Sequence, residues 1–113
     1  MTLYLVNAFS GSMLSSPSGA ISYETVTVAD ACNMLHKREF VSAIGHPSTA
    51  SLLSKICDTE IKPNRIMVSL KSGDQALVFQ LTIRLQEGQV LSDEEIGKLF
   101  NEGKAKFMLF TVL

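Results

Sequence analysis

Phe40-Val41-Ser42-Ala43-Ile44-Gly45-His46-Pro47-Ser48-Thr49-Ala50-Ser51-Leu52-Leu53-Ser54-Lys55-Ile56-Cys57 reads as a strand, a turn and a helix in direct succession. Phe40 to Ile44 is a short apolar run, and it stops at the turn-forming Gly45-His46-Pro47-Ser48-Thr49. From there Ala50, Leu52, Leu53 and Ile56 recur at helical spacing. Pro47 falls at the first helical turn, where its missing N–H costs little. A strand that hands over directly to a helix argues for an α/β layer.

The flanking sequence extends this pattern. Leu3-Tyr4-Leu5-Val6 is a run of strand formers and predicts a buried strand. The polar stretch Asn7-Ala8-Phe9-Ser10-Gly11-Ser12 leads into a short helix near Met13 and Leu14, and Ser15-Ser16-Pro17-Ser18-Gly19 breaks the chain. Ile21 to Val28 alternates and is rich in β-branched residues, which predicts a strand. A helix opened by Asp30 runs through Arg38, with Ala31, Met34 and Leu35 as its apolar stripe. After the turn Lys62-Pro63-Asn64, Arg65 opens a predicted strand Ile66–Leu70, joined through Ser72-Gly73-Asp74 to a second strand, Gln75–Leu85, as a hairpin. Ser92 with Glu95 three residues on is a capping-box pattern, Gly103 ends that helix, and Lys106–Val112 is a closing apolar strand. The whole chain, 1–113, is expected to form a single compact α/β domain: a mixed β-sheet of about five or six strands flanked by helices.

Composition narrows the function classes. A chain of 113 residues has no room for two independent cores, and 46% hydrophobic content excludes intrinsic disorder. Ten basic against eleven acidic side chains exclude a generic polybasic nucleic-acid binder, so no DNA partner is expected and any anionic ligand must be gripped locally. No stretch approaches the ~20 apolar residues that span a bilayer. The start MTLYLVNAF lacks the basic region of a signal peptide, so no membrane partner and a cytoplasmic location are expected. Cys32 and Cys57 form no C-x-x-C pair and read most simply as two reduced, buried thiols.

Three constellations carry candidate chemistry. His46 stands at the carboxyl end of a strand beside a helix start, where α/β proteins commonly place ligands, and Ser48, Thr49 and first-turn amides can hold a phosphate. The plain alternative makes His46 a cap or a surface residue. In Gln80-x3-Arg84-x2-Glu87-Gly88, period two puts Gln80, Thr82 and Arg84 on one face of the predicted strand. The plain alternative there is an exposed face with an Arg84–Glu87 surface pair. Asn7 and Ser10 end the first strand as helix caps or as donors to a ligand at the same sheet edge, and Arg65 opens a strand. A zinc site from Cys32, His36, Cys57 and His46 is disfavoured because no compact ligand pair recurs. There is no P-loop, no G-x-G-x-x-G and no G-x-S-x-G.

Taken together, Leu5-Val6-Asn7-Ala8-Phe9-Ser10, Ala43-Ile44-Gly45-His46-Pro47-Ser48-Thr49, Asn64-Arg65, Gly73-Asp74-Gln75-Ala76-Leu77 and Arg84-Leu85-Gln86-Glu87-Gly88-Gln89-Val90-Leu91-Ser92 resemble the viral ring nuclease family, the type III anti-CRISPR ring nucleases. The resemblance covers nearly the whole chain in that family's motif order. It implies a homodimer that binds cyclic tetra-adenylate across its two-fold axis and cuts it to linear di-adenylate, with no metal and no cofactor, so switching off type III CRISPR signalling. By resemblance His46 is the general acid on the departing 5′ oxygen, and the nucleophile is the substrate's own 2′-hydroxyl. Glu87 then holds or polarises His46, and Arg84 and Arg65 pair with phosphates. Asn7, Ser10, Gln80 and Ser48 supply further donors. Two other readings stay open: a non-catalytic sponge for cyclic oligoadenylate, and a small viral regulatory or interaction protein.

Overall fold

The computed structural model describes residues 1–86 and 88–113. Five strands form one sheet: β1 (Leu3–Val6), β2 (Ile21–Val26), β3 (Val41–Ser42), β4 (Gln75–Leu81) and β5 (Ala105–Val112), in the order β2-β5-β4-β1-β3. β1 pairs in parallel with both β3 and β4, whereas β5 runs antiparallel to β4 and β2. β5 is therefore the one reversed strand, and the carboxyl ends of the other four point to the same edge of the sheet.

The helices α1 (Val28–Lys37), α2 (Pro47–Cys57) and α3 (Asp93–Asn101) pack on one face. Leu3 and Leu5 of β1, Leu77 and Phe79 of β4, and Phe107 of β5 point into that layer, where they meet Ala31, Leu35, Ala50 and Leu53 of α1 and α2. The alternate residues Val6, Ala76 and Val78 point to the other face and are covered by Phe9, Met13, Val68 and Leu70. Cover on both faces explains why β1 and β4 read as continuous apolar runs instead of alternating ones. Helix starts follow local chemistry. Thr27 caps α1 through Asp30 N, and at α3 the Ser92 hydroxyl and the Glu95 carboxylate satisfy each other's backbone amides at 3.2 and 3.0 Å.

Three expectations are corrected. Ile66–Leu70 is no strand of the sheet. This stretch lies over the outer face, and its backbone bonds to the turn after β1 (Leu70 N donates to Met13 O at 2.6 Å, Ser15 N to Leu70 O at 3.2 Å). The predicted hairpin is thus absent, and the strand beside β4 on that side is β1, some seventy residues earlier. β4 stops at Leu81 and not at Leu85, because its partner β5 begins at Ala105, opposite Leu81, and the Thr82 amide on the Lys104 carbonyl at 2.8 Å is the last rung of the ladder. Cys32 and Cys57 are not free thiols: they are joined as a disulfide between α1 and the end of α2, with Cα atoms 4.9 Å apart. Packing of the two helices side by side brings these cysteines together, and no local spacing could signal it.

Candidate functional site

The site grows from the parallel strands. Asn7 follows the end of β1, His46 ends the four-residue connection from β3 to α2, and Thr82 to Arg84 follow β4. β1 lies between β3 and β4, so these exits converge at the carboxyl edge, the place where open α/β sheets bind ligands. A cleft of about 850 Å³ opens there. Asn7, His46, Ser48 and Arg84 line it together with Gln89 and Val90, over the side chains of Phe79 and Leu81.

His46 is the N-cap residue of α2, with extended backbone (φ −106°, ψ 125°). Its carbonyl accepts the Ala50 amide at 3.0 Å, while its ring makes no capping bond to the helix. The imidazole is exposed at the cleft wall. Pro47 occupies the first helical position and offers no N–H, so the amides of Ser48 and Thr49 are the first donors at this positive end of the helix dipole. Gly45 leaves room for a neighbour: a Cβ built there would stand 3.5 Å from Arg65 Nε.

The opposite wall is the segment between β4 and α3. Gln86 N donates to Gln89 Oε1 at 2.9 Å, and Gln89 N returns a bond to Gln86 O at 3.0 Å. Gly88, at φ +75°, supplies the left-handed residue that so tight a turn requires. The Ser48 hydroxyl donates to the Gln86 carbonyl at 3.2 Å and ties this wall to α2.

The sequence-predicted site residues divide into two groups. Asn7, His46, Ser48 and Arg84 meet in the cleft. Ser10 instead caps the 3-10 turn Gly11–Met13, accepting from Ser12 N. Gln80 is exposed on β4 opposite Lys106, on the sheet face turned away from Phe79 and Leu81. Arg65 packs on Gly45, beside His46 but outside the cleft lining. Arg84 is in a loop and so does not share a strand face with Gln80. Glu87 lies outside the described residues. Gln89 and Val90 stand inside the block Arg84–Ser92 that carries the resemblance, but sequence reading gave them no role, and the structure adds them to the lining.

No group of three or more metal-ligating side chains occurs among the described residues. The two sulfurs of the discarded zinc reading are bonded to each other, and His36 Nε2 lies 2.5 Å from the Cys57 carbonyl. No helix among the described residues is long and apolar enough to cross a membrane.

A family profile described as STIV B116-like matches residues 3–107. The chain belongs to the STIV B116-like family. The B116 protein of Sulfolobus turreted icosahedral virus superposes with a TM-score of 0.92 at 35% identity, covering 98% of this chain and 99% of B116. The ORF116 protein of Acidianus filamentous virus 1 is 46% identical over 106 residues, 94% of this chain and 91% of the relative. Protein 26 of Sulfolobus islandicus filamentous virus is 36% identical over 93 residues, 82% and 79% of the two chains. These B116-like relatives are viral proteins, and the B116 fold carries the same five-stranded sheet with its helices.

Proposed function

We propose that this B116-like protein is a ring nuclease that cuts cyclic tetra-adenylate as a homodimer. The observation that supports it is the placing of His46 and Arg84 on one cleft at the carboxyl edge of the sheet, beside the donors Asn7 and Ser48. In this reading a ribose 2′-hydroxyl attacks the adjacent phosphorus in line and gives up its proton to water. The 5′ oxygen leaves with a proton from His46, and a 2′,3′-cyclic phosphate remains. Substrate supplies the nucleophile, so the protein's part is positioning, proton transfer and stabilisation of charge on the phosphoryl oxygens. The Arg84 guanidinium pairs with those oxygens, and Glu87 orients His46. A ring that also touches Ser10, Arg65 and Gln80 extends beyond this one cleft, as a ligand shared by two copies would.

The test is incubation with radiolabelled cyclic tetra-adenylate in EDTA, with chromatography of the products. Linear di-adenylate ending in a cyclic phosphate is expected. An intact ring would overturn the reading, and a native gel of the same mixture would then tell a sponge, which shifts the ring, from a protein that ignores it.

A second reading, a small viral interaction protein, is favoured by one observation. The outer face of the sheet carries Phe9, Phe110 and Tyr23 as a stacked aromatic row (centroids 4.4 and 5.8 Å apart) with Tyr23 68% exposed, and Met67, next to Val68 in the segment that covers this face, is 97% exposed. An exposed apolar patch is a common mark of a protein contact. Unchanged messenger in the assay above would make it the leading reading.

A further inference from the structure

One face of α2 is built to hold the far wall of the cleft. Ser48, Leu52 and Lys55 are spaced four and three residues apart, so they stand in one row along the helix. The row meets the segment after β4 at two points. The Ser48 hydroxyl donates to the Gln86 carbonyl at 3.2 Å, and the Lys55 ammonium donates to the Leu91 carbonyl. The Lys55 ammonium also stands 3.8 Å from Asp93, in the first turn of α3. Leu91 itself is 6% exposed and part of the core with Leu52. Between these anchors the Gln86–Gln89 pair and Gly88 make a self-bonded turn. Arg84 enters this segment two residues before the first anchor.

We infer that Lys55 is a positioning residue: together with Ser48 it fixes the segment that carries Arg84 and so sets Arg84 opposite His46. Lys55 does not line the cleft and so acts through the backbone it grips. The Ser48 hydroxyl proton is engaged by the protein in this arrangement, so what Ser48 offers a ligand is its backbone amide. A charged donor on a backbone carbonyl is among the stronger single hydrogen bonds a half-exposed side chain makes. This inference rests on the proposed activity only for its kinetic consequence. The structural part stands by itself.

The experiment uses the whole chain with Lys55→Met, which keeps the apolar stem and removes the ammonium, and Lys55→Arg, which restores a donor. Backbone ¹⁵N relaxation is read at Arg84, Gln86 and Gln89, and cyclic tetra-adenylate turnover is measured beside it. In the parent these amides are expected near the rigid-backbone order parameter of about 0.85, and in Lys55→Met to fall toward about 0.6, with amides of β1 and β4 unchanged and Lys55→Arg recovering most of the loss. KM is expected to rise about tenfold in Lys55→Met, with a smaller change in kcat, because a loosened Arg84 weakens phosphate binding first. Order parameters at 84–89 that match the parent would overturn the positioning role, as would loss spread evenly over the sheet. No turnover by the parent would sink the ring-nuclease reading while leaving the relaxation result to decide the role of Lys55.

Discussion

The Cys32–Cys57 disulfide makes a large and specific demand on stability. It closes a loop with a sequence separation of 25, and that loop contains β3, the turn with His46 and all of α2. Chain-entropy arithmetic for a loop of this length gives about 3.5 kcal/mol at 25 °C, from the conformations the crosslink removes from the unfolded chain. With an unfolding entropy of about 2.1 cal/mol/K per residue, 113 residues convert that energy into a fall in Tm of about 15 °C. The perturbation has two forms. Reduction of the parent protein leaves both sulfur atoms in place and so isolates the crosslink. Cys32→Ala with Cys57→Ala removes the sulfurs too and is expected to cost somewhat more, since Cys57 is 2% exposed and its loss leaves a small void. Thermal melts by circular dichroism, with and without reductant, provide the comparison. Thiol titration of the unfolded, unreduced protein checks the premise, and no free thiol is expected. A fall in Tm of less than about 4 °C on verified reduction would refute the reasoning, because about 1 kcal/mol is too little for a loop of this size. Two titratable thiols in the unreduced chain would refute it earlier still.

Other consequences are open to the same kind of measurement. His46→Ala should keep binding of cyclic tetra-adenylate but lose roughly 10²–10⁴-fold in cleavage rate, the usual weight of a positioned general acid, whereas Arg84→Ala should weaken binding and turnover together; equal cleavage by parent and variants would remove both assignments. Ser92→Ala breaks the hydroxyl half of the capping box at α3 and should cost about 1 kcal/mol, near 4 °C in Tm, and a melt that does not move would mean the helix start is held by its packing alone. Burial pushes the Asp74 carboxyl up, but bonds donated by the Lys71 and Thr2 amides, with help from the chain's amino group and the Lys71 charge, outweigh it and hold the carboxyl below its ordinary value of 3.8. A depressed acid stabilises the fold above its unfolded value and loses that contribution as pH falls through the folded one. The Tm gap between parent and Asp74→Asn should therefore stay constant from neutral pH down to about pH 5 and close below 3.8; a gap that persists to pH 2 would show that charge has no part in it.

How far the sequence carried depended on whether the signal was local. The capping box of Ser92 and Glu95, Pro47 in the first turn of α2, and the doubly buried run Leu3–Val6 are all written in neighbouring residues, and each appears where expected. The stretch Ile66–Leu70 misled because its apolar content is that of a strand, yet only Val68 and Leu70 are buried, and they cover the sheet instead of joining it. The same holds for the disulfide, since helix–helix packing leaves no mark on residues 25 positions apart. At the site, His46 was legible because a strand-to-helix turn is a local event. The separation of Gln80 from Arg84 was not, since it follows from β4 ending at Leu81, opposite the start of β5 at Ala105, on the far side of α3 in the chain. The grip of Lys55 on Leu91 joins residues 36 apart and belongs to the same class.

The placing of β5 bears on how such a chain comes into being. β2 pairs with β5 alone, Ile21 against Val112 and Val26 against Phe107, although it lies some eighty residues earlier. A growing polypeptide on the ribosome therefore carries β2 as an orphan for most of its synthesis, and the strand finds its seat only when residues 105–112 emerge. β1 finds a first partner earlier, in β3 at residues 41–42, and a second in β4 by residue 81. The sheet is thus completed only in the closing stage of translation, when β5 joins β4 and β2. Nascent chains stalled before residue 105 should be degraded readily by proteases, and those released past residue 112 should resist them.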